Sequence, residues 1–282
     1  MERIKEALEK ARQERAATGG ALPGQASAPV DPVEIVYSRT RTVPVLHGVL
    51  RANRVIVSSK PGRFTDAYRI LRTQVLKRLQ KNGWNSLAVT SPGAHEGKTL
   101  TAVNLAISLA MEVNSTVLLV DANLRAPRVH KFFGLPAEPG LADYLRADTP
   151  LEELLVHPAG IGRFVVLPGG RPLLDSAEML NSPKMTRLVE ELKRRYPTRI
   201  VIFDLAPLLS AADALAFAPY VDAALLVVED GATGTDELER AVGLLKDTQL
   251  IGTVLNKAQH GPDEDGGPVR RGRLRRLFAG GT

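Results

Sequence analysis

Residues 87–99 read LAVTSPGAHEGKT. A short apolar run enters a Ser-Pro-Gly turn, and the turn closes on Gly97-Lys98-Thr99. The next residues, Lys98 to Met111, carry Leu100, Val103, Ala106 and Ala110, a spacing that predicts a helix. Strand, glycine-bearing turn and helix in this order leave free backbone N–H groups and the positive end of a helix dipole at the turn, which favours an anionic ligand. Gly97 is expected to let the backbone approach that ligand, Lys98 to supply a point charge and Thr99 a hydroxyl. The strict pattern G-x-x-x-x-G-K-[ST] is not met: Pro92 stands where the first glycine belongs, and Gly93 lies one place late.

Two further apolar runs end in aspartate. Val117-Leu118-Leu119-Val120 precedes Asp121, and Ile200-Val201-Ile202-Phe203 precedes Asp204. Other strand candidates are 87–90, 164–167, 224–228 and 253–255, with helices expected at 98–111, 183–196 (Ser182 as its cap) and 236–247. Alternation of this kind predicts an α/β fold: a mostly parallel sheet with helices on both faces. Ligands of such sheets bind beyond the carboxyl ends of the strands, where Lys98, Asp121 and Asp204 all fall. A buried aspartate there is costly without a cation or several donors. An ammonium and a hydroxyl at one strand end, with carboxylates at two others, are what a magnesium nucleotide needs. Lys98, Asp121 and Asp204 are therefore the candidate catalytic residues. Thr99, Asp121 and Asp204 are the candidate metal ligands. Gly93, Gly97, Lys98, Thr99 and Leu100 form the expected nucleotide loop. Asn123 is an amide where a second carboxylate could stand, so any general-base role falls on Asp121. Arg125 is expected to clamp phosphate or to pair with a neighbouring subunit. Asn256 is expected to read the adenine edge, and His95 to face solvent.

Composition bounds the rest. The chain has 282 residues, 44% apolar and 24% charged, ordinary for a globular protein. The absence of cysteine excludes disulfides and iron–sulfur clusters and fits a reducing cytoplasm. No apolar run nears the ~18 residues of a spanning helix, and the first residues are charged rather than signal-like, so a cytoplasmic location is expected, peripheral at most. From Lys257 onward lie six basic and three acidic residues, half of the net +6, which argues against a nucleic-acid-binding face on the folded body. Four segments are expected. Residues 1–16 form a helix with Ile4, Leu8 and Ala11 on one stripe, either solvated or a partner's docking helix. Residues 17–34 are an Ala/Gly/Pro linker. Residues 35–258 form the folded domain. Residues 259–282 form a disordered basic tail, in which Leu274, Leu277 and Phe278 could touch anionic lipid.

These residues resemble the bacterial tyrosine kinases of polysaccharide synthesis and export, the BY-kinases, and most nearly the cytoplasmic autokinases encoded with exopolysaccharide loci. SPGAHEGKT (91–99) resembles the family's variable Walker A, DANLR (121–125) its Walker A′ and IVIFDLAP (200–207) its Walker B, and VLLVDANLRAPRVHKFFG (117–134) is the most specific stretch. The resemblance implies a P-loop NTPase fold, Mg2+ and ATP as cofactors, and tyrosine autophosphorylation in trans between subunits of a homo-oligomeric ring. It also implies a membrane-embedded polysaccharide co-polymerase as partner. DAYRILRT (66–73) is similar to the family's E-x-x-R-x-x-R-T helix, with Asp for Glu, which implies Asp66, Arg69 and Arg72 as an interface between subunits. In one respect the chain departs from the family. BY-kinases usually end in a tyrosine cluster, whereas the five tyrosines here are Tyr37, Tyr68, Tyr144, Tyr196 and Tyr220. Either the acceptor belongs to another protein, or an internal tyrosine serves, Tyr37 first, or the kinase step is lost and ATP binding acts as a switch. The competing function is a ParA/MinD-like switch ATPase, although those carry a second lysine at the position held here by Gly93.

Overall fold

The computed structural model describes residues 40–56, 62–112, 115–194 and 198–258. The expected helix 1–16, linker 17–34 and tail 259–282 lie outside the described residues, as do Tyr37 and Tyr196.

Eight strands form one sheet in the order β1-β4-β5-β3-β6-β2-β7-β8. They are β1 (Arg41–Val43), β2 (Ser86–Thr90), β3 (Thr116–Asp121), β4 (Val156–Pro158), β5 (Phe164–Leu167), β6 (Arg199–Asp204), β7 (Ala223–Glu229) and β8 (Leu250–Asn256). Every neighbouring pair is parallel except β4 with β5. The expected strands are all present, and β1 and β4 are additions.

The strands are continuously apolar because both faces are covered. In β3, Leu118 and Val120 enter one core while Val117 and Leu119 enter the other. β6 repeats the alternation with Val201 and Phe203 against Ile200 and Ile202. One face is covered by α1 (His47–Ala52), α2 (Arg63–Asn82), α3 (Lys98–Ala110) and α4 (Val129–Phe133). The other is covered by α5 (Leu141–Ala147), α6 (Leu151–Leu154), α7 (Ser176–Leu180), α8 (Pro183–Arg194), α9 (Asp213–Phe217) and α10 (Thr235–Leu244). Ser182 Oγ accepts the Met185 N–H at 3.2 Å, so α8 begins on the expected cap. Among the described residues no helix is long and apolar enough to cross a membrane.

Helix α3, which begins at the phosphate-loop lysine, is buried at every position but Lys98 and Leu100. A surface helix buries only one stripe, and α3 differs because α2 lies across its outer side. The polar residues that result are used. Asn104 accepts the Ile56 N–H at 2.9 Å and donates to Arg54 O at 3.0 Å, fastening the chain that leads into α2.

At the end of the sheet away from the strands' carboxyl termini, Asp222 ties three elements together. Its Oδ2 accepts the N–H groups of Asn85 and Ser86, each at 3.0 Å, and the Ser86 hydroxyl at 2.8 Å, while Oδ1 takes the Lys193 ammonium. Burial opposes ionisation there, but the Lys193, Ser86 and Asn85 donors outweigh it and hold the carboxyl below its ordinary value. Asp222→Ala strands all four donors and is expected to cost about 2–4 kcal/mol. The loss should appear as a lower urea midpoint at unchanged slope; an unmoved midpoint would show that the network is not structural.

Candidate functional site

Strands β3, β6 and β2 are neighbours, and Asp121 and Asp204 are partners in register at the ends of β3 and β6. Two carboxylates thus leave adjacent strands side by side, at a strand spacing of ~4.8 Å. Both are fully buried. Asp121 Oδ2 accepts the N–H groups of Arg128 and Val129, each at 2.8 Å. Asp204 Oδ2 accepts the Thr99 hydroxyl at 2.7 Å. On both residues the other oxygen, Oδ1, is buried without a hydrogen-bond partner.

Two buried carboxylates side by side, each with an oxygen lacking a hydrogen-bond partner, form a polar site that the protein's own donors do not complete. Burial first, then the charge of Asp204, pushes the Asp121 carboxyl from its ordinary 3.8 up to about 7, against the pull of its backbone donors. Burial also raises Asp204, while the Lys98 ammonium and the Thr99 hydroxyl draw it back. Lys98 is therefore close enough to act on Asp204 through space. A divalent cation answers this arrangement. Asp121, Asp204 and Thr99 would hold magnesium, directly or through water. The ion would there supply positive charge to phosphate oxygens that gain negative charge during transfer.

The phosphate loop is braced from behind. Gly97 lies in the left-handed region (φ +91) and caps α3. A Cβ at Gly97 would stand 2.0 Å from Asn256 Nδ2, so the glycine is needed for the asparagine to fit. Asn256 Nδ2 donates to Glu96 O at 2.8 Å. Glu96, only 6% exposed, accepts the Gly93 N–H through Oε2 at 2.8 Å and the Thr233 hydroxyl through Oε1. The turn after β7 and the end of β8 thus grip the loop together, through Thr233 and Asn256. Gly93 gives its N–H to Glu96 and Asn256 gives its amide donor to the loop, and neither lines the cavity.

That cavity, of about 360 Å3, has three walls. Lys98, Thr99 and Leu100 form the first, with His95 at its edge, exposed as expected. Asn123, Arg125, Arg128 and Phe132 form the second, and Ala206, Pro207 and Ser210 the third. Arg125 lines the cavity, half-exposed, and its Nη2 lies 3.4 Å from Oδ1 of the buried Asp213, a partner in its own chain. The interface residues do not act alike. Asp66 and Arg69 pair with each other at 2.8 Å on the exposed side of α2, which also presents Phe64 and Ile70. Arg72 turns to its own chain, 2.9 Å from Glu112 and 3.2 Å from Ser108 O. Sequence reasoning did not single out Glu96, Thr233, Arg128 or Phe132. An acid inside an anion-binding loop was the one visible hint for Glu96, and Thr233 is 137 residues from its partner.

A mostly parallel sheet with a lysine-bearing phosphate loop at one strand end and paired carboxylates at two others defines a P-loop nucleotide-binding domain. No family model matches the chain. The Bacillus subtilis tyrosine-protein kinase YwqD is 32% identical over 217 residues, 73% of this chain and 90% of that protein. The succinoglycan biosynthesis transport protein ExoP of Rhizobium meliloti is 30% identical over 218 residues, 73% of this chain and 26% of that protein. The kinase domain of the Escherichia coli tyrosine kinase ETK superposes with a TM-score of 0.67 at 26% identity, covering 82% of this chain and 92% of that domain. The chain belongs to the bacterial tyrosine-kinase family. It spans nine-tenths of YwqD but only about a third of some longer curated relatives, 32% and 33% in two of them.

Two outcomes test the geometry. With Asp121 raised to about 7, the folded, metal-free protein holds a proton that the unfolded chain has released, so stability falls as pH rises from ~4 to ~7 and stays low above that. Asp121→Asn should flatten that slope and raise the metal-free melting temperature at pH 8 by roughly 5 °C; an unchanged slope would show that the carboxyl is not strained. Separately, Thr233→Val removes the donor to Glu96 and should weaken binding of a fluorescent ATP analogue roughly tenfold. Thr233→Ser should bind like wild type, and equal binding by all three proteins would rule out the brace.

Proposed function

We propose that the chain is a Mg-ATP-dependent protein-tyrosine kinase that regulates exopolysaccharide synthesis and export from the cytoplasmic side of the membrane. One observation carries this reading: the register pair Asp121 and Asp204, each with an unpartnered buried oxygen, beside Lys98 and Thr99. Lys98 and the N-terminal N–H groups of α3 hold the β- and γ-phosphates of the substrate nucleotide. Thr99, Asp121 and Asp204 hold magnesium. Asp121, whose Oδ1 has no hydrogen-bond partner, accepts the acceptor's proton. The acceptor's phenol oxygen bonds to the γ-phosphorus as the bond from that phosphorus to the β-bridging oxygen breaks. ADP departs with the electron pair, and the phenol proton passes to Asp121.

The disposition of the tyrosines supports a phenol supplied by another polypeptide. Tyr68 is buried on the inner face of α2, against α3, and burial pushes its hydroxyl up. Tyr144 carries Lys184 over its ring at 4.9 Å. The Tyr220 hydroxyl donates to Asn181 Oδ1 at 2.6 Å. None of these three lines the cavity. The acceptor is then an internal tyrosine of a neighbouring copy, Tyr37 first, or a tyrosine of a membrane-embedded co-polymerase. A homo-oligomer built on the exposed side of α2, with Asp66, Arg69, Phe64 and Ile70, would bring neighbouring copies together for transfer in trans.

Transfer can be followed with γ-labelled ATP, magnesium and a glutamate–tyrosine copolymer. Wild type should label tyrosine, and Lys98→Met should lower the rate roughly 10²–10³-fold while still unfolding cooperatively. Wild type that hydrolyses ATP but labels no tyrosine, on itself or on the copolymer, would overturn the kinase assignment in favour of a switch ATPase.

A further inference from the structure

We propose that Arg128 and Phe132 form the slot that receives the acceptor's phenol ring; the inference rests on the kinase reading above. The cavity's three walls differ in chemistry. The wall that begins α3 offers an ammonium, a hydroxyl and helix N–H groups, which suit phosphate. The wall after β6 is small and compact, with Ala206, Pro207 and Ser210. The wall after β3 combines several planar groups with a phenyl ring, whereas the loop wall has only His95 at its edge. Phe132 presents a half-buried ring to the cavity, and Arg128 an exposed guanidinium. The Arg128 side chain makes no hydrogen bond or ion pair among the described residues, whereas Arg125 on the same wall is turned toward Asp213. Phosphate has no use for an aromatic ring. A tyrosine ring does, both edge-to-face on phenylalanine and stacked on a guanidinium plane.

Position separates the phenol from the other flat candidate, the nucleotide base. The backbone N–H groups of Arg128 and Val129 are the two donors that hold Asp121 Oδ2, each at 2.8 Å. The turn that carries Arg128 is therefore the one that holds the carboxylate assigned to take the phenol proton. Asp121 and Asp204 mark the metal-holding, γ-phosphate end of the substrate, and the base lies at the opposite end of the triphosphate. A ring seated between Arg128 and Phe132 is thus at the end where transfer occurs. A single turn would then hold the base, and its flanking side chains would orient the group the base acts on.

The test separates acceptor from nucleotide. Steady-state kinetics with the glutamate–tyrosine copolymer are measured beside the dissociation constant of a fluorescent ATP analogue with magnesium. Phe132→Leu and Arg128→Ala should each raise the KM for copolymer roughly fivefold to tenfold and keep the nucleotide constant within about twofold of wild type. Phe132→Tyr should restore the wild-type KM. Arg128 is exposed, so its substitution keeps the test open even if the Phe132 variant folds poorly. Weaker nucleotide binding at unchanged copolymer KM would assign the wall to the nucleotide and overturn the proposal, and so would no change in either quantity. Wild type that turns over ATP without labelling tyrosine, on itself or on the copolymer, would instead sink the underlying kinase reading, and the slot with it.

Discussion

Two like charges buried on one rung of a sheet are the constraint on which the molecule turns. Asp121 and Asp204 are register partners at the ends of neighbouring strands, both without exposure to water. Their mutual repulsion and lost hydration work against the fold, and the donors around them answer only half of each carboxylate. The surroundings follow from that tension. Two backbone N–H groups bend back to one oxygen of Asp121, the Thr99 hydroxyl reaches one oxygen of Asp204, and Lys98 stands near enough to oppose the rise of the latter. The unanswered oxygens make the unliganded protein less stable than an all-amide version would be. That deficit favours binding of a cation and the polyphosphate it accompanies.

The phosphate loop is stiffened against this site by parts of the chain distant in sequence. Glu96 is enclosed by a loop amide and a hydroxyl from the turn after β7, and Asn256 fills the space that Gly97 leaves open. A negative side chain in an anion-binding loop is tolerable because its oxygens are turned inward to these donors and away from the cavity. The loop has its shape before a ligand arrives, so binding need not order it.

The long apolar runs were legible because strands buried on both faces carry little polar interruption. The paired carboxylates were legible for a related reason: an aspartate closing such a run is anomalous, and Asp121 and Asp204 stood out from the pattern around them. β1 and β4 were not, since three residues including His157 and Pro158 show no alternation. The short helices α4 to α7 and α9 escaped likewise, being too brief for a 3.6-residue period to register. The contact of Asn256 with the loop was not legible, because only the fold brings it against Gly97. The resemblance implied Arg72 at an interface between subunits, yet α2 lies across α3 and directs it to Glu112 and Ser108 of its own chain. Thr233 carries no local signal, and its function exists only in the company of Glu96.

The seating of Asn256 against Gly97 also orders events during synthesis. A nascent chain that has emerged as far as β7 already contains the loop lysine, both aspartates and six of the other seven strands in translation order. It still lacks the amide that packs against the loop glycine, because β8 follows β7 as the last strand among the described residues and sits at the sheet's edge. The binding loop therefore gains its full support only when the final strand docks, and a growing polypeptide is kept from gripping nucleotide firmly until its folded body is complete.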